Sequence, residues 1–437
     1  MALRFDNKVA IVTGAGGGLG RTYALELAKR GCKVVVNDLG GDRHGSASSS
    51  SMADKVVGEI KAAGGVAVAN YDSVEFGDKI VKTAIDNFGR IDIVINNAGI
   101  LRDVSFLNMK ELDWDLIFKV HVKGAYSVTK AAWPYMRDQK YGRVVVTSSN
   151  AAVYGNFGQT NYSAAKHALI GLANSLALEG AKYNILANTV IPTAGSRLTA
   201  DVMPEFMVEA LKPEFVTPLV VYMCHESFKG NGNLYEAGAQ WYGELKYYRS
   251  EGKLLPGATV ETLHDNWGKI TCMEKARHIP TIKDQTTELM EMLSAAQDSS
   301  NNNDSSSSGS SSGGEFPSNI QSSAIFKEIQ QGVKEDPSIA TKLKSIFTYI
   351  INDNAGKELG KFTLDLKNSP PSVYVGESKG GAPAVTITVA DQVFMDLAAG
   401  KENPQKAFMS GKIKAKGNIM LLQKMQSILD QKKKSKM

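Results

Sequence analysis

Residues Lys8 to Asp38 read KVAIVTGAGGGLGRTYALELAKRGCKVVVND, and this stretch decides the fold. Lys8–Thr13 is a short, β-branched apolar run that stops at glycines, as a strand stops at a turn. Leu19, Tyr23 and Leu27 then recur at helical spacing, so a helix follows the turn directly. KVVVND at Lys33–Asp38 is a second strand. Strand, glycine turn, helix and strand make a parallel pair joined by a crossover helix. The alternation continues through VAVANYD (Val66–Asp72), IDIVINNAG (Ile91–Gly99) and GRVVVTSS (Gly142–Ser149). An α/β architecture is predicted: a doubly wound parallel sheet with helices on both faces. Ligands in such sheets sit at the carboxyl ends of the strands.

The residues at those ends carry chemistry. Thr13-Gly-Ala-Gly-Gly-Gly-Leu-Gly20 is a turn in which glycines let the backbone approach a pyrophosphate. The helix N-terminus behind it supplies amide donors and partial positive charge. A glycine-rich connection without ligand fits this turn taken alone. Asp38 strengthens the dinucleotide reading, because a carboxylate there accepts both ribose hydroxyls and repels a 2′-phosphate. NAD is therefore favoured over NADP, with Arg21 and Arg43 close enough in sequence to bear on that choice.

Tyr162 and Lys166 stand four apart in YSAAK and share a helix face. Ser149 ends the strand before them. A free tyrosine, with pKa about 10, is a poor base at neutral pH. A nearby ammonium favours its phenolate. Tyr162 can then take a proton from an alcohol as hydride leaves, while Ser149 holds the oxygen that becomes a carbonyl. An exposed helix pair is the plain alternative for the Tyr–Lys spacing alone.

TGAGGGLG, NNAG (Asn96–Gly99), Ser149 and YSAAK together resemble the short-chain dehydrogenase/reductase family. The resemblance implies a Rossmann-type sheet, a nicotinamide cofactor, and Ser149, Tyr162 and Lys166 as catalytic residues, with Ser149 on the substrate oxygen. For the cofactor it implies contacts from Thr13, Gly14, Gly18, Leu19, Gly20, Asp38, Asp72, Ser73, Asn97, Ala98, Gly99, Tyr162 and Lys166. IPTAGSR adds Ala194, Gly195, Ser196 and Arg197 as the segment that wraps the nicotinamide. One position departs from many members: VHVKG places His121 where they carry Asn. Longer stretches, among them NDLGGD, ANYDSV, NNAGILRD and YGNFGQTNYSAAKHALIGLANSLALEG, resemble the dehydrogenase unit of the peroxisomal multifunctional enzymes of type 2, where His is the familiar residue at that place. That group implies NAD-dependent oxidation of (3R)-3-hydroxyacyl-CoA to 3-ketoacyl-CoA in a homodimer. The stretch beyond Tyr242 exceeds a minimal core of the family and is expected at the subunit contact or acyl site.

One seam divides the chain. Ser299–Gly314 contains only Ser, Asn, Asp and Gly. With nothing apolar to bury it reads as a flexible linker, reaching about 22 Å. The expected domains are 1–298, a dehydrogenase with its extension, and 315–434, a smaller α+β domain. Residues 315–437 hold 18 Lys and 12 acidic residues but no Arg, His or Cys, which leans them toward binding. Phe326, Ile329 and Val333 have helical spacing, as do Leu343, Ile346, Phe347 and Ile350. Phe362, Leu364 and Leu366 alternate, and so do SVYVGE and AVTITVAD, which predicts antiparallel strands with one buried face. DQVFMDLAAG and NIMLLQKMQSIL read as helices, and the Met420–Leu429 cluster reads as core.

FTLDLKN through NPQKAFMSGKIKAKGNIMLLQKMQSIL resembles the sterol carrier protein 2 family. That implies a lipid or fatty acyl-CoA held in an apolar tunnel, without catalysis. A carrier-shaped domain that only aids dimerisation or import is the bland alternative. Ser435-Lys436-Met437 resembles the peroxisomal address S-K-L, read by an import receptor; a frayed Lys-rich tail is its plain reading. Peroxisomal fatty-acid β-oxidation is the expected setting. Enzymes of this group commonly carry a hydratase between the two units, and sixteen low-complexity residues leave it no room, so no hydratase activity is expected.

Other classes are weighed against this one. Net charge of +5 over 437 residues is too mild for a nucleic-acid binder. No apolar run approaches the roughly 18 residues of a membrane span, so no integral membrane segment is expected. Met1–Lys8 lacks the apolar core of a secretory signal. Cys32, Cys224 and Cys272 lie far apart, which argues against a disulfide framework or a CxxC metal site. A short-chain dehydrogenase acting on a steroid or other lipid alcohol remains an alternative, as does a lipid-transfer protein with an inactive dehydrogenase unit.

Overall fold

The structure is a computed structural model that describes residues 2–41, 49–195, 209–301, 316–335 and 343–417. Its contacts divide the chain into two compact units, Met1–Lys246 and Tyr247–Met437.

The first unit is built on one eight-stranded sheet. Its strands are β1 (Val9–Thr13), β2 (Lys33–Asn37), β3 (Val66–Asn70), β4 (Ile93–Asn96), β5 (Gly142–Thr147), β6 (Ile185–Thr193), β7 (Leu234–Gly238) and β8 (Trp241–Leu245). They lie in the order β3-β2-β1-β4-β5-β6-β7-β8. All neighbours pair in parallel except β8, which returns antiparallel to β7. The sheet is therefore doubly wound as predicted, with its direction of growth reversing between β1 and β4. Ligands of open α/β sheets bind in the crevice at such a reversal.

Register lines up the functional ends. Thr13 pairs with Asn37, and Asn37 with Asn70, so Asp38 and the residues after Asn70 emerge at one edge. Helices α1 (Gly18–Lys29), α2 (Ser51–Ala62), α3 (Gly77–Phe88), α4 (Glu111–Phe118), α5 (Gly124–Gln139), α6 (Asn150–Tyr154) and α7 (Thr160–Gly180) connect the strands. Tyr23, Leu27, Val56 and Ile60 pack α1 and α2 on one side of the sheet. Ile80, Val128, Met136 and Leu169 pack α3, α5 and α7 on the other. Val34, Val35 and Val36 are all fully buried, as a strand covered on both faces requires.

The second unit begins with a segment that the sequence assigns to the first domain. It contains β9 (Tyr248–Arg249), β10 (Arg277–His278) and the helices Val260–Ile270 and Ile282–Asn301. Glu288 ties this segment together through Arg249 at 2.6 Å and Arg277 at 3.0 Å. None of residues 247–293 is buried. The helix ending at Asn301 also overruns the first three residues of the expected linker. The rest of the linker, the Met420–Leu429 cluster and the Ser435–Met437 tail lie outside the described residues.

Beyond the linker, a five-stranded sheet runs β13-β12-β11-β14-β15. Its strands are β11 (Ile346–Asn352), β12 (Glu358–Asp365), β13 (Ser372–Val375), β14 (Val385–Ala390) and β15 (Ile413–Gly417). The helices Ser323–Glu335 and Asp391–Ala398 confirm the α+β reading. Two expectations are corrected. Ile346, Phe347 and Ile350 lie on the central strand β11, not on a helix. IFTYII is β-branched and aromatic, and its place between two partners buries both faces, which mimics helical spacing. The strands are also not all antiparallel, since β11 and β14 pair in parallel. Thr363 and Asp365 are as buried as Phe362 and Leu364, so β12 has two covered faces rather than one.

Candidate active site

Two glycines open the cofactor crevice. Gly14 (φ +64°) and Gly18 (φ +50°) hold left-handed backbone that other residues adopt only at a cost. A Cβ on Gly14 would also stand 2.8 Å from Ala98 Cα. Helix α1 starts at Gly18 with no side-chain cap and no acidic residue in its first turn. Its leading amides and its dipole therefore favour an anion.

Asp38 locks onto this turn. Its Oδ2 accepts the Gly16 amide at 2.7 Å and its Oδ1 accepts the Gly40 amide at 2.7 Å. Each carboxylate oxygen keeps a further lone pair for a hydroxyl. Arg21 is paired with Glu59, and Arg43 lies outside the described residues. Asp72 sits where Asn37 Nδ2 reaches its carbonyl at 2.9 Å and Asn70 Nδ2 reaches its carboxylate at 2.9 Å. Ser73 Oγ donates to Glu75 at 3.2 Å.

Asn97 closes the crevice from β4. Its amide Nδ2 donates to Thr13 O at 3.0 Å and Gly14 O at 3.2 Å, while Thr13 Oγ1 accepts from the Asn97 and Ala98 amides at 3.0 Å. One side chain thus staples the glycine turn to NNAG. Ala194 and Gly195 follow β6 at the same edge, and Ser196 and Arg197 lie outside the described residues. A glycine-rich turn, an uncapped helix start and a carboxylate at the end of β2 fit a dinucleotide.

Ser149, Tyr162 and Lys166 converge beside that crevice. Ser149 is the cap of α6 and accepts the Ala151 amide at 3.2 Å. Tyr162 is half-buried near the start of α7, and Lys166 lies one turn on, 3% exposed. Lys166 Nζ donates to Thr147 O at 2.7 Å and stands 5.6 Å from the centre of the Tyr162 ring. Ser148 Oγ, bonded to Lys166 O at 2.8 Å, ties α7 to the end of β5.

Burial dominates the electrostatics of the pair. Burial pushes Lys166 itself down to about 7 and Tyr162 up to about 12. The Asp103 carboxylate adds to the rise of Tyr162, and a hydrogen bond with Ser149 works against it. Loss of water is the largest cause of both shifts.

Sequence reasoning missed the asparagines that set this geometry. Asn161 is fully buried; its Nδ2 holds Arg102 O at 3.2 Å and Asp113 O at 2.9 Å, and its Oδ1 accepts the Tyr162 amide at 2.8 Å. Asn37 and Asn70 bond to each other at 2.8 Å beneath Asp72. An amide ending an apolar strand run is the signal that could have marked Asn37 and Asn70; nothing marked Asn161. The site left open by the sequence, His121, is buried against Tyr162.

Comparison with known proteins agrees with this geometry. Residues 8–202 match the short chain dehydrogenase family, and residues 326–430 match the SCP-2 sterol transfer family. The chain is 46% identical to peroxisomal multifunctional enzyme A of Dictyostelium discoideum, over 98% of this chain and 99% of that one. It is 56% identical to peroxisomal multifunctional enzyme type 2 of Mus musculus, over 67% of this chain and 40% of that one. The solved structure of full-length peroxisomal multifunctional enzyme type 2 from Drosophila melanogaster superposes with a TM-score of 0.59 at 32% identity, covering 94% of this chain and 85% of that one.

Proposed function

The chain belongs to the peroxisomal multifunctional enzyme family, a dehydrogenase fused to a lipid-binding domain, and from that membership we propose that it oxidises (3R)-3-hydroxyacyl-CoA to 3-ketoacyl-CoA with NAD. The observation that carries this reading is the convergence of Ser149, Tyr162 and Lys166 beside a crevice whose far end is Asp38. Gly14, Gly18 and Asp38 would hold an oxidised dinucleotide in that crevice, and it would supply the hydride acceptor. Tyr162 Oη takes the hydroxyl proton of the substrate as its oxygen becomes a carbonyl. Ser149 holds that oxygen, and Lys166, poised near neutrality, supplies positive charge to the phenolate. Since Tyr162 is held up to about 12, oxidation needs a proton removed from it and accelerates as pH rises. Ketone reduction uses the phenol directly and slows over the same range.

Three things support NAD. Asp38 offers lone pairs to hydroxyls, its charge opposes a phosphate, and Arg21 is engaged by Glu59. The extension 247–293 buries none of its residues and leaves Tyr248 and Trp267 about three-fifths exposed, at 58% and 61%, which favours a homodimer that covers them. The C-terminal unit is assigned a lipid or fatty acyl-CoA, and the Ser435–Met437 tail the peroxisomal import receptor. The domains are proposed as 1–298 and 315–434 joined by 299–314, with no hydratase activity in the chain.

The test is NADH formation from (3R)- and (3S)-3-hydroxyacyl-CoA of several chain lengths, with NAD and NADP compared. Turnover of the 3R form with NAD is expected. No turnover of either isomer overturns the substrate, and equal rates with NADP overturn the role of Asp38. Hydration of an enoyl-CoA by the pure chain would overturn the missing hydratase.

A further inference from the structure

His121 stands at the join between the cofactor segment and the catalytic tyrosine. It lies in a single π-helical turn, Lys119–Lys123, between α4 and α5. Such turns insert an extra residue and re-aim a side chain, often at functional sites. The imidazole is 2% exposed. Its Nε2 stands 3.1 Å from the Ile100 amide and 2.9 Å from the Ile100 carbonyl, accepting from the one or donating to the other according to the tautomer. Nδ1 is buried with no hydrogen-bond partner among the described residues.

The ring fills a gap with defined walls. On one side it meets Tyr162 edge-on, with ring centres 5.4 Å apart at 89°. On the other it presses on Gly99, where a Cβ would stand 2.5 Å from His121 Cε1 and 3.2 Å from Nδ1. Gly99 is not in the left-handed region, so glycine is required there for space alone. Asn97, two residues earlier, is the side chain that staples NNAG to the glycine turn.

We infer that His121 is a positioning residue, a neutral wedge that carries the placement of the Asn97–Gly99 segment to the ring of Tyr162. The inference rests on the dehydrogenase reading above. Burial and the neighbouring Lys166 both hold the imidazole well below its ordinary range, so no second cation competes with Lys166. The groups facing Tyr162 are then Ser149, Asp103, Lys166 and an uncharged ring.

The experiment compares wild type, Gly99→Ala, His121→Ala and the double variant. A misplaced catalytic group costs about 10- to 100-fold in kcat, so each single variant is expected to lose that much while both KM values stay within about threefold. Because the added methyl acts by displacing the imidazole, Gly99→Ala is expected to cost nothing further once His121 is alanine. Equal losses from Gly99→Ala in both backgrounds would overturn the inference. His121→Gln, which keeps an acceptor for Ile100 but no ring, replaces His121→Ala if that variant does not fold. A second readout needs no substrate: the titration of Tyr162 followed by carbon-13 NMR of labelled tyrosine, assigned through Tyr162→Phe. It shifts in both single variants if the wedge acts on Tyr162, and an unchanged titration overturns the idea even if hydroxyacyl-CoA proves not to be the substrate.

Discussion

The two sheets of this chain collect their polar residues differently. In the first, seven strands run parallel, so every carboxyl end faces one edge, and Thr13, Asp38, Asn97, Ser149 and Ala194 emerge together. In the second, β12 and β15 oppose their neighbours, which scatters strand ends over both edges. That sheet instead gathers aromatic rings. Phe326 stacks on Phe362 at 4.2 Å and 3°, and on Phe394 at 5.1 Å. A parallel sheet concentrates chemistry at a rim, whereas a mixed sheet with a helix laid on it concentrates apolar surface. The difference explains why the chemistry-bearing motifs fall in one unit and none falls in the other.

The comparison breaks if catalysis depends on the second sheet, so the largest expected effect tests independence. Tyr162→Phe removes the proposed proton acceptor and leaves the ring against His121. General acid–base groups are worth about 10²- to 10⁴-fold, so NADH formation is expected to fall by that much. Binding of a fluorescent fatty acyl-CoA by the second unit is expected to be unchanged. Next in size is the mirror experiment, Phe362→Ala. Phe362 is fully buried in the stack, and truncating such a ring costs about 3–5 kcal/mol. A lowered second thermal transition and lost lipid binding are expected, with kcat unaltered. A fall in kcat would show that the units do not act separately.

The first unit was legible because its order rests on local signals. Glycines at 14 and 18, and apolar runs broken by polar ends, predict both the elements and the rim. The second was less legible. IFTYII reads as helix because a central strand buried on both faces loses its alternation, and only partners distant in sequence, Gly360–Asp365 and Val385–Ala390, decide otherwise. The same limit hid Asn161, whose partners Arg102 and Asp113 lie 59 and 48 residues away. It also hid the desolvation of the pair. Spacing puts Lys166 near Tyr162, but how much water the two lose depends on α7 packing against β5, which no local pattern records.

A smaller effect sharpens what the rim recognises. If Asp38 holds the ribose hydroxyls as proposed, Asp38→Ala removes at least one charge-assisted hydrogen bond worth about 1.5–3 kcal/mol, so KM for NAD is expected to rise at least about 10- to 100-fold. The Gly16 and Gly40 amides lose their acceptor too, which loosens the turn itself. KM for NADP should change less, because removing the carboxylate also removes its repulsion of the phosphate. Equal losses with both cofactors would mean that Asp38 serves only the turn.

The smallest signal, read per pH unit, concerns the energy held at the rim. Lys166 is 3% exposed and its folded-state value is lowered to about 7, below its ordinary 10.5. Between those values the unfolded chain binds more protons than the folded one, so stability rises with pH, by at most about 1.4 kcal/mol per unit for one group. Below the folded value the penalty is complete, and above 10.5 it vanishes. Lys166→Met removes the titrating group and keeps the buried stem. The variant is expected to be inactive yet more stable than wild type near pH 7, with the difference shrinking as pH approaches 10. The second unit supplies the control, because its core holds Phe326, Phe362 and Phe394 in place of a buried cation. Its transition should not move between the two proteins at any pH. Parallel pH dependences of the first transition in variant and wild type would show that the lysine keeps its water, and that the rim carries no such cost.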